Sequence, residues 1–182
     1  MQPEPVVYRH TVEAFVNRVF VRRGLLTPEV VSKLRTLGLD PTRPRDMPVD
    51  PWRAVLKEAS SLVLPGASEA DAMRELGREM VRGFEASLVG RTLFIGLKLL
   101  GVKQTLRTIA RNYRSADNAT EVTTRELGER QFELTFTIRA GIPFPTYTEG
   151  VLEEGTKVIG QPGVKVVTTV LSPTTVTYVA TW

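Results

Sequence analysis

Apolar residues recur at helical intervals along the first two-thirds of the chain and then switch to strict alternation. Val12, Phe15, Val16, Val19 and Phe20 follow i, i+3, i+4, i+7, i+8 spacing and predict an amphipathic helix. Arg18, Arg22 and Arg23 fall on its polar side and at its C-terminal end, where cations suit the helix dipole. Thr27-Pro28-Glu29 is a helix start, with a capping hydroxyl, a first-turn proline and an acid. That helix is expected to bury Val30, Val31, Leu34 and Leu37 and to stop at Gly38. Asp40 to Pro48 holds three prolines and reads as an irregular connection. Asp50-Pro51-Trp52 repeats the start signal, and Val55, Leu56, Ala59, Leu62 and Val63 form an apolar face ended by Pro65-Gly66. Ser68 with Asp71 opens the longest helix, whose expected buried face is Met73, Leu76, Met80, Val81, Phe84 and Leu88. Gly77 and Gly83 inside it cost roughly 1 kcal/mol each against alanine, which predicts close approach of another element. Gly90 and Gly101 bracket a further apolar helix, and Val102, Leu106, Ile109, Ala110 and Tyr113 line one more.

The period then becomes two. Phe132, Leu134, Phe136 and Ile138 alternate with Gln131, Glu133, Thr135 and Thr137, the pattern of a half-buried strand. Glu121 to Glu126 is its expected hairpin partner across Leu127-Gly128-Glu129. Tyr147 to Ile159 reads as a helix. Val164 to Leu171 and Thr174 to Thr181, rich in Val and Thr, predict a second hairpin turned at Ser172-Pro173. The order predicts an α+β fold in which N-terminal helices pack on a four-stranded antiparallel sheet in ββαββ order. Residues 1–48 read as N-terminal helical segments and connection and residues 49–182 as the α+β core, within one continuous domain.

Composition narrows the chemistry. The 182 residues include no cysteine and one histidine, His10. Disulfides and thiolate sites are excluded, and there is no zinc spacing, P-loop, dinucleotide glycine fingerprint or nucleophile elbow. No cofactor or metal is expected, and no enzyme activity. The apolar run from Leu93 to Val102 is broken by Lys98 and is too short to span a bilayer. No signal-peptide pattern opens the chain, so a cytoplasmic location is expected. The net charge of +4 is unevenly spread: Arg91 to Ala116 carries six basic residues and no acidic one, whereas Asp117 to Trp182 has eight acids to five bases.

Three stretches carry a resemblance. They are Leu37-Gly38-Leu39-Asp40; Trp52 through Leu64-Pro65-Gly66 to Leu76-Gly77-Arg78; and Gly90-Arg91 through Leu100-Gly101 to Arg111-Asn112-Tyr113-Arg114. In this order they resemble a large paralogous family of uncharacterised single-domain proteins of myxobacteria, a resemblance that implies a fold more than an activity. A second, more remote one sits at Thr135-Phe136-Thr137-Ile138-Arg139-Ala140-Gly141-Ile142. It is similar to the Tyr-x-Ser-x-Arg and following x-Gly-Leu of haem nitric-oxide/oxygen sensor domains, with Arg139 and Gly141 identical. The ββαββ order is also similar to vinyl-reductase-type ligand-binding domains and to trafficking-complex subunits. Thr135 and Thr137 replace the tyrosine and serine, and His10 lies far upstream of the helix that should supply a proximal histidine. The resemblance therefore implies an architecture able to enclose a small-molecule or acyl-chain cavity, without haem.

Several groups of residues are candidates for a site. Arg139, whose planar fork suits a carboxylate, reads either as a buried anion clamp or as a strand-end arginine paired with an acid such as Glu149. Phe84, Leu88, Leu93, Phe94, Leu97 and Leu100 line either a small-ligand cavity or plain core. Lys103, Arg107, Arg111 and Arg114 share one helix face and form either a stripe for an acidic partner or a solvated surface. Nucleic acid is disfavoured, because no recognition motif or interleaved aromatics accompany the stripe. Glu149, Glu153 and Glu154 read as a solvated helix face. The expected function is a non-enzymatic cytoplasmic regulatory or sensor-like module for a small apolar or acidic ligand or a protein partner. The alternative is a ligand-free scaffold recruiting an acidic protein through the basic face. Homodimerisation is compatible with either.

Overall fold

The computed structural model describes residues 3–139 and 144–182. Helix α1 (Arg9–Phe15) runs into a π-helical turn over Val16–Val21, in which Arg22 N–H reaches the Asn17 carbonyl five residues back. Its apolar stripe is buried as the spacing requires: Val12, Phe15, Val16, Val19 and Phe20 are all inside. Thr27 caps α2 (Pro28–Thr36) through the Val30 N–H. Of the four residues expected to be buried on it only Leu34 is fully so; Val30, Val31 and Leu37 are half-buried. The proline-bearing connection is not wholly irregular, because β2 (Met47–Pro48) pairs antiparallel with β1 (Val6–Val7). Helix α3 (Val49–Val63) begins before the expected Asp50 start, and Asp50 sits in its first turn, paired with Arg53 at 2.8 Å.

Ser68 accepts a hydrogen bond from Asp71 N–H and starts α4 (Glu69–Ala86). Ser87 then caps α5 (Leu88–Arg114) through Gly90 N–H, so Leu88 belongs to the next helix and is 80% exposed rather than buried on α4. The two predicted apolar helices are one element kinked at Gly101, whose φ of 79° and ψ of −175° are essentially closed to any residue with a Cβ. Before the kink, α5 is apolar on two sides. Phe94 and Leu97 are buried, while Val89, Ile95, Leu99 and Leu100 are exposed.

Strands β3 (Thr120–Gly128), β4 (Gln131–Ile138), β5 (Lys165–Ser172) and β6 (Thr175–Thr181) form an antiparallel sheet in the order β3-β4-β6-β5, with α6 (Pro145–Val158) between the two hairpins. The turns differ from expectation. A register irregularity between Glu126 and Gly128 extends β3, moving the first turn to Glu129–Arg130, and the second falls at Pro173–Thr174. Paired inward residues (Val122 with Phe136, Phe132 with Ala180, Leu134 with Tyr178) are buried beneath α5 and α6, which contribute Val102, Leu106, Ala110 and Leu152. A second apolar cluster gathers α1, the π turn, α3 and the first half of α4. No described helix is long and apolar enough to cross a membrane.

Candidate functional site

Glycines set the distances on which the site depends. A Cβ on Gly77 would meet the Tyr147 carbonyl, and one on Gly150 the Arg74 carbonyl, so α4 and α6 pack backbone to backbone. A Cβ on Gly83 would lie 2.6 Å from Arg18 Cβ, so the π turn rests directly on α4. These are the close approaches that Gly77 and Gly83 predict.

Between α1 with its π turn, the second half of α4, both halves of α5 and α6 lies a cavity of about 340 Å³. Its apolar wall is Val81, Phe84, Leu93, Phe94, Leu97 and Ile109; its polar groups are His10, Arg18, Thr105, Thr108, Asn112, Tyr113 and Tyr147. A smaller recess of about 130 Å³ shares Thr11, Met80, Tyr113, Ala116 and Tyr147 with it and continues to Phe136 and Tyr178 of the sheet. The structure thus brings Phe84, Phe94 and Leu97 to one wall, with Leu93, whereas Leu88 and the 66% exposed Leu100 point elsewhere. Helical phase explains Leu88, which falls off the face that Leu93 and Leu97 share, whereas Leu100 keeps that phase but sits immediately before the Gly101 kink.

Most polar groups around the cavity already have partners. Thr105 and Thr108 donate to the Gly101 and Gln104 carbonyls, and Tyr113 OH lies 3.3 Å from Thr148 Oγ1. Burial pushes the Tyr113 and Tyr147 phenols up, so both stay protonated. His10 is exposed and its Nε2–H donates to the Ser115 carbonyl at 3.2 Å. Asp117, beside the smaller recess, accepts from Ala119 N–H, Thr120 N–H and the Thr120 hydroxyl. The Arg18 guanidinium has no such hydrogen-bond partner among the described residues. It lies over the Phe84 ring, 4.5 Å from the centroid, and no carboxylate among the described residues forms an ion pair with it. Burial lowers its pKa, with a smaller opposing contribution from Tyr147.

Arg139 is not a buried clamp. It is exposed at the end of β4, outside both cavity walls, and donates to the Asn118 carbonyl. Nor is Glu149 shown as its partner: that carboxylate accepts from Arg74 and from the Thr168 hydroxyl. Gly141, with Ala140 and Ile142 of the same motif, lies outside the described residues. The expectation of a solvated glutamate face on α6 is also corrected. Glu149 and Glu154 are buried, because α4 sets Arg74, Arg78 and Arg82 at four-residue intervals against α6. Arg78 reaches Glu153 at 2.8 Å and Arg82 reaches Glu154 at 3.2 Å. Glu79, only 4% exposed, completes the ladder with Arg22, with Arg23 at 3.3 Å and with Arg82 at 2.7 Å. Burial alone would raise its pKa, but the Arg82 hydrogen bond and the three arginine charges together hold it below its ordinary value.

The basic stripe is divided. Lys103 (2.9 Å) and Arg107 both pair with Glu126 of β3, while Arg111 and Arg114 are exposed near the helix end. Arg18 is the residue that the sequence conceals, since by spacing it is one more cation on a polar helix side. The four-residue repeats Arg74-Arg78-Arg82 and Glu149-Glu153 were the available signal for the ladder.

The fold has solved relatives in structure at low sequence identity. One was determined in work on haem redox potential and protein-induced porphyrin distortion; it is 15% identical, with a TM-score of 0.66 over 96% of this chain and 99% of the other. An oxygen-binding H-NOX domain related to soluble guanylate cyclases is 15% identical, with a TM-score of 0.64 over 95% and 93%. The Fe(II) unliganded H-NOX protein of K. algicida is 14% identical, with a TM-score of 0.64 over 96% and 95%. No curated protein matches the sequence. The profile of the DUF2378 family, proteins of unknown function, matches residues 5–182, and the chain belongs to that family.

Proposed function

We propose that this protein is a non-enzymatic, haem-free, sensor-like module that encloses a small, largely apolar organic ligand between α1, α4, α5 and α6. The observation that carries this reading is the cavity of about 340 Å³, apolar on one side and bearing a few convergent polar groups, in the size range of small-molecule sites. The H-NOX-like fold supports it as an architecture built around an internal ligand.

The donors around the cavity do not suit an iron porphyrin. Haem iron takes imidazole, thiolate, thioether or phenolate ligands. Here the single imidazole is exposed and bonded through Nε2 to a carbonyl, cysteine is absent, burial keeps the tyrosines protonated, and Met80 on the wall offers only a thioether, which in haem proteins partners an imidazole. Catalysis is disfavoured on similar grounds, because the clustered carboxylates Glu79, Glu149, Glu153 and Glu154 are each engaged by arginine. Partner recruitment through Lys103, Arg107, Arg111 and Arg114 is the weaker reading, since Glu126 already engages two of those four cations.

The test is native mass spectrometry of the protein purified from its own host, followed by denaturing extraction, with a parallel hemin titration followed by Soret absorbance. An organic molecule released at close to one per chain and no saturable hemin binding are expected. An apo mass in every preparation would overturn the ligand reading, and stoichiometric hemin binding would overturn its haem-free part.

A further inference from the structure

The cavity contains a cation, Arg18, with which no carboxylate among the described residues forms an ion pair. Arg18 sits in the π-helical turn, a local distortion that recurs at functional sites. Gly83 lets that turn lie against α4, which places the guanidinium carbon of Arg18 over the Phe84 ring, 4.5 Å from its centroid. A contact with a ring face supplies no carboxylate, so the planar N–H fork of the guanidinium still has bidentate recognition of one to offer. The surrounding arginines differ in kind. Arg22, Arg23, Arg74, Arg78 and Arg82 all have glutamate partners in the ladder, and the ladder stops short of Arg18. Phe84 belongs to the apolar wall of the same cavity, with Leu93, Phe94 and Leu97. A half-buried, unneutralised cation is unfavourable in such surroundings unless an anion joins it.

Resting on the ligand reading above, we propose that the ligand is an amphipathic carboxylic acid, with its carboxylate on Arg18 and its hydrocarbon body against Phe84, Leu93, Phe94 and Leu97. Arg18 thus takes the anion-binding role that the strand-end motif suggested for Arg139. The pairing sets specificity, because a neutral compound of the same shape fills the apolar wall but leaves the guanidinium without its partner.

The test compares dodecanoate with dodecanol by titration calorimetry, on the full chain and on its Arg18→Met and Arg18→Lys variants, with circular dichroism as the check of folding. The unaltered protein is expected to bind dodecanoate at least about tenfold more tightly than dodecanol, the scale of one charge-assisted hydrogen-bonded pair. Arg18→Met should abolish that preference while still binding the alcohol, and Arg18→Lys should keep part of it. Equal affinity for acid and alcohol in the unaltered protein, or an undiminished acid preference in Arg18→Met, would overturn the role of Arg18 and leave the cavity reading standing. Failure of both compounds to bind would overturn both.

Discussion

At the scale of single residues, the packing of α4 on α6 turns on two missing side chains. Alanine at Gly77 or Gly150 places a methyl group on a backbone carbonyl of the other helix, and neither carbonyl can step aside without moving its helix. Each substitution is expected to lower stability by about 1–3 kcal/mol or more. Gly96 is the control, because a Cβ there meets nothing within 4 Å. Alanine at Gly96 should stabilise by up to about 1 kcal/mol through helix propensity alone. Thermal unfolding of the three variants checks the contrast, and a drop for Gly96→Ala equal to the others would sink the argument. Gly77 and Gly83 were readable in sequence because glycine inside a strong helical period carries a cost that needs a reason. Arg18 was not: one-dimensional spacing places it on the polar side, and only the π turn and the approach of α4 reveal that this side faces a cavity.

At the scale of elements, the arginine–glutamate ladder joins α4 to both the π turn and α6, and Glu79 is its most buried acid. The folded-state pKa of Glu79 lies below its unfolded value. Its contribution is therefore complete above the ordinary carboxylate range and is lost as pH falls below that range and through the depressed value. Glu79→Gln should cost about 2 kcal/mol near neutrality, less than a fully buried pair because the arginines reach solvent. It should also flatten the fall in melting temperature across that acid window, and an unchanged acid slope would show that Glu79 is not the group responsible. Periodicity predicts every major helix and strand here, because amphipathic elements write their buried face into the sequence. It fails where two elements meet. The boundary between α4 and α5 falls at Ser87 inside an apolar run, and the bulge near Leu127 displaces a turn without disturbing the alternation. The ladder also escaped the reading, since a charged stripe facing a complementary helix has the same period as one facing water.

At the scale of the whole molecule, the fold presents two apolar surfaces that a hydrophobic ligand could choose between. One is the cavity wall of Val81, Leu93, Leu97, Ile109 and Val151; the other is the outer face of α5, where Leu88, Val89, Ile95 and Leu99 are exposed, the last to 86%. Exposed apolar patches bind hydrophobic probes without being sites of specific recognition, so a change in bulk affinity does not distinguish them. Methyl-resolved NMR does, because each surface carries its own Leu, Val and Ile methyl groups. The decisive measurement is a titration of methyl-labelled protein with dodecanoate. Saturable shifts gathered at Val81, Leu93, Leu97, Ile109 and Val151, with the outer face of α5 unmoved, are expected. Shifts confined to Leu88, Val89, Ile95 and Leu99, or none that saturate, would contradict an enclosed ligand site.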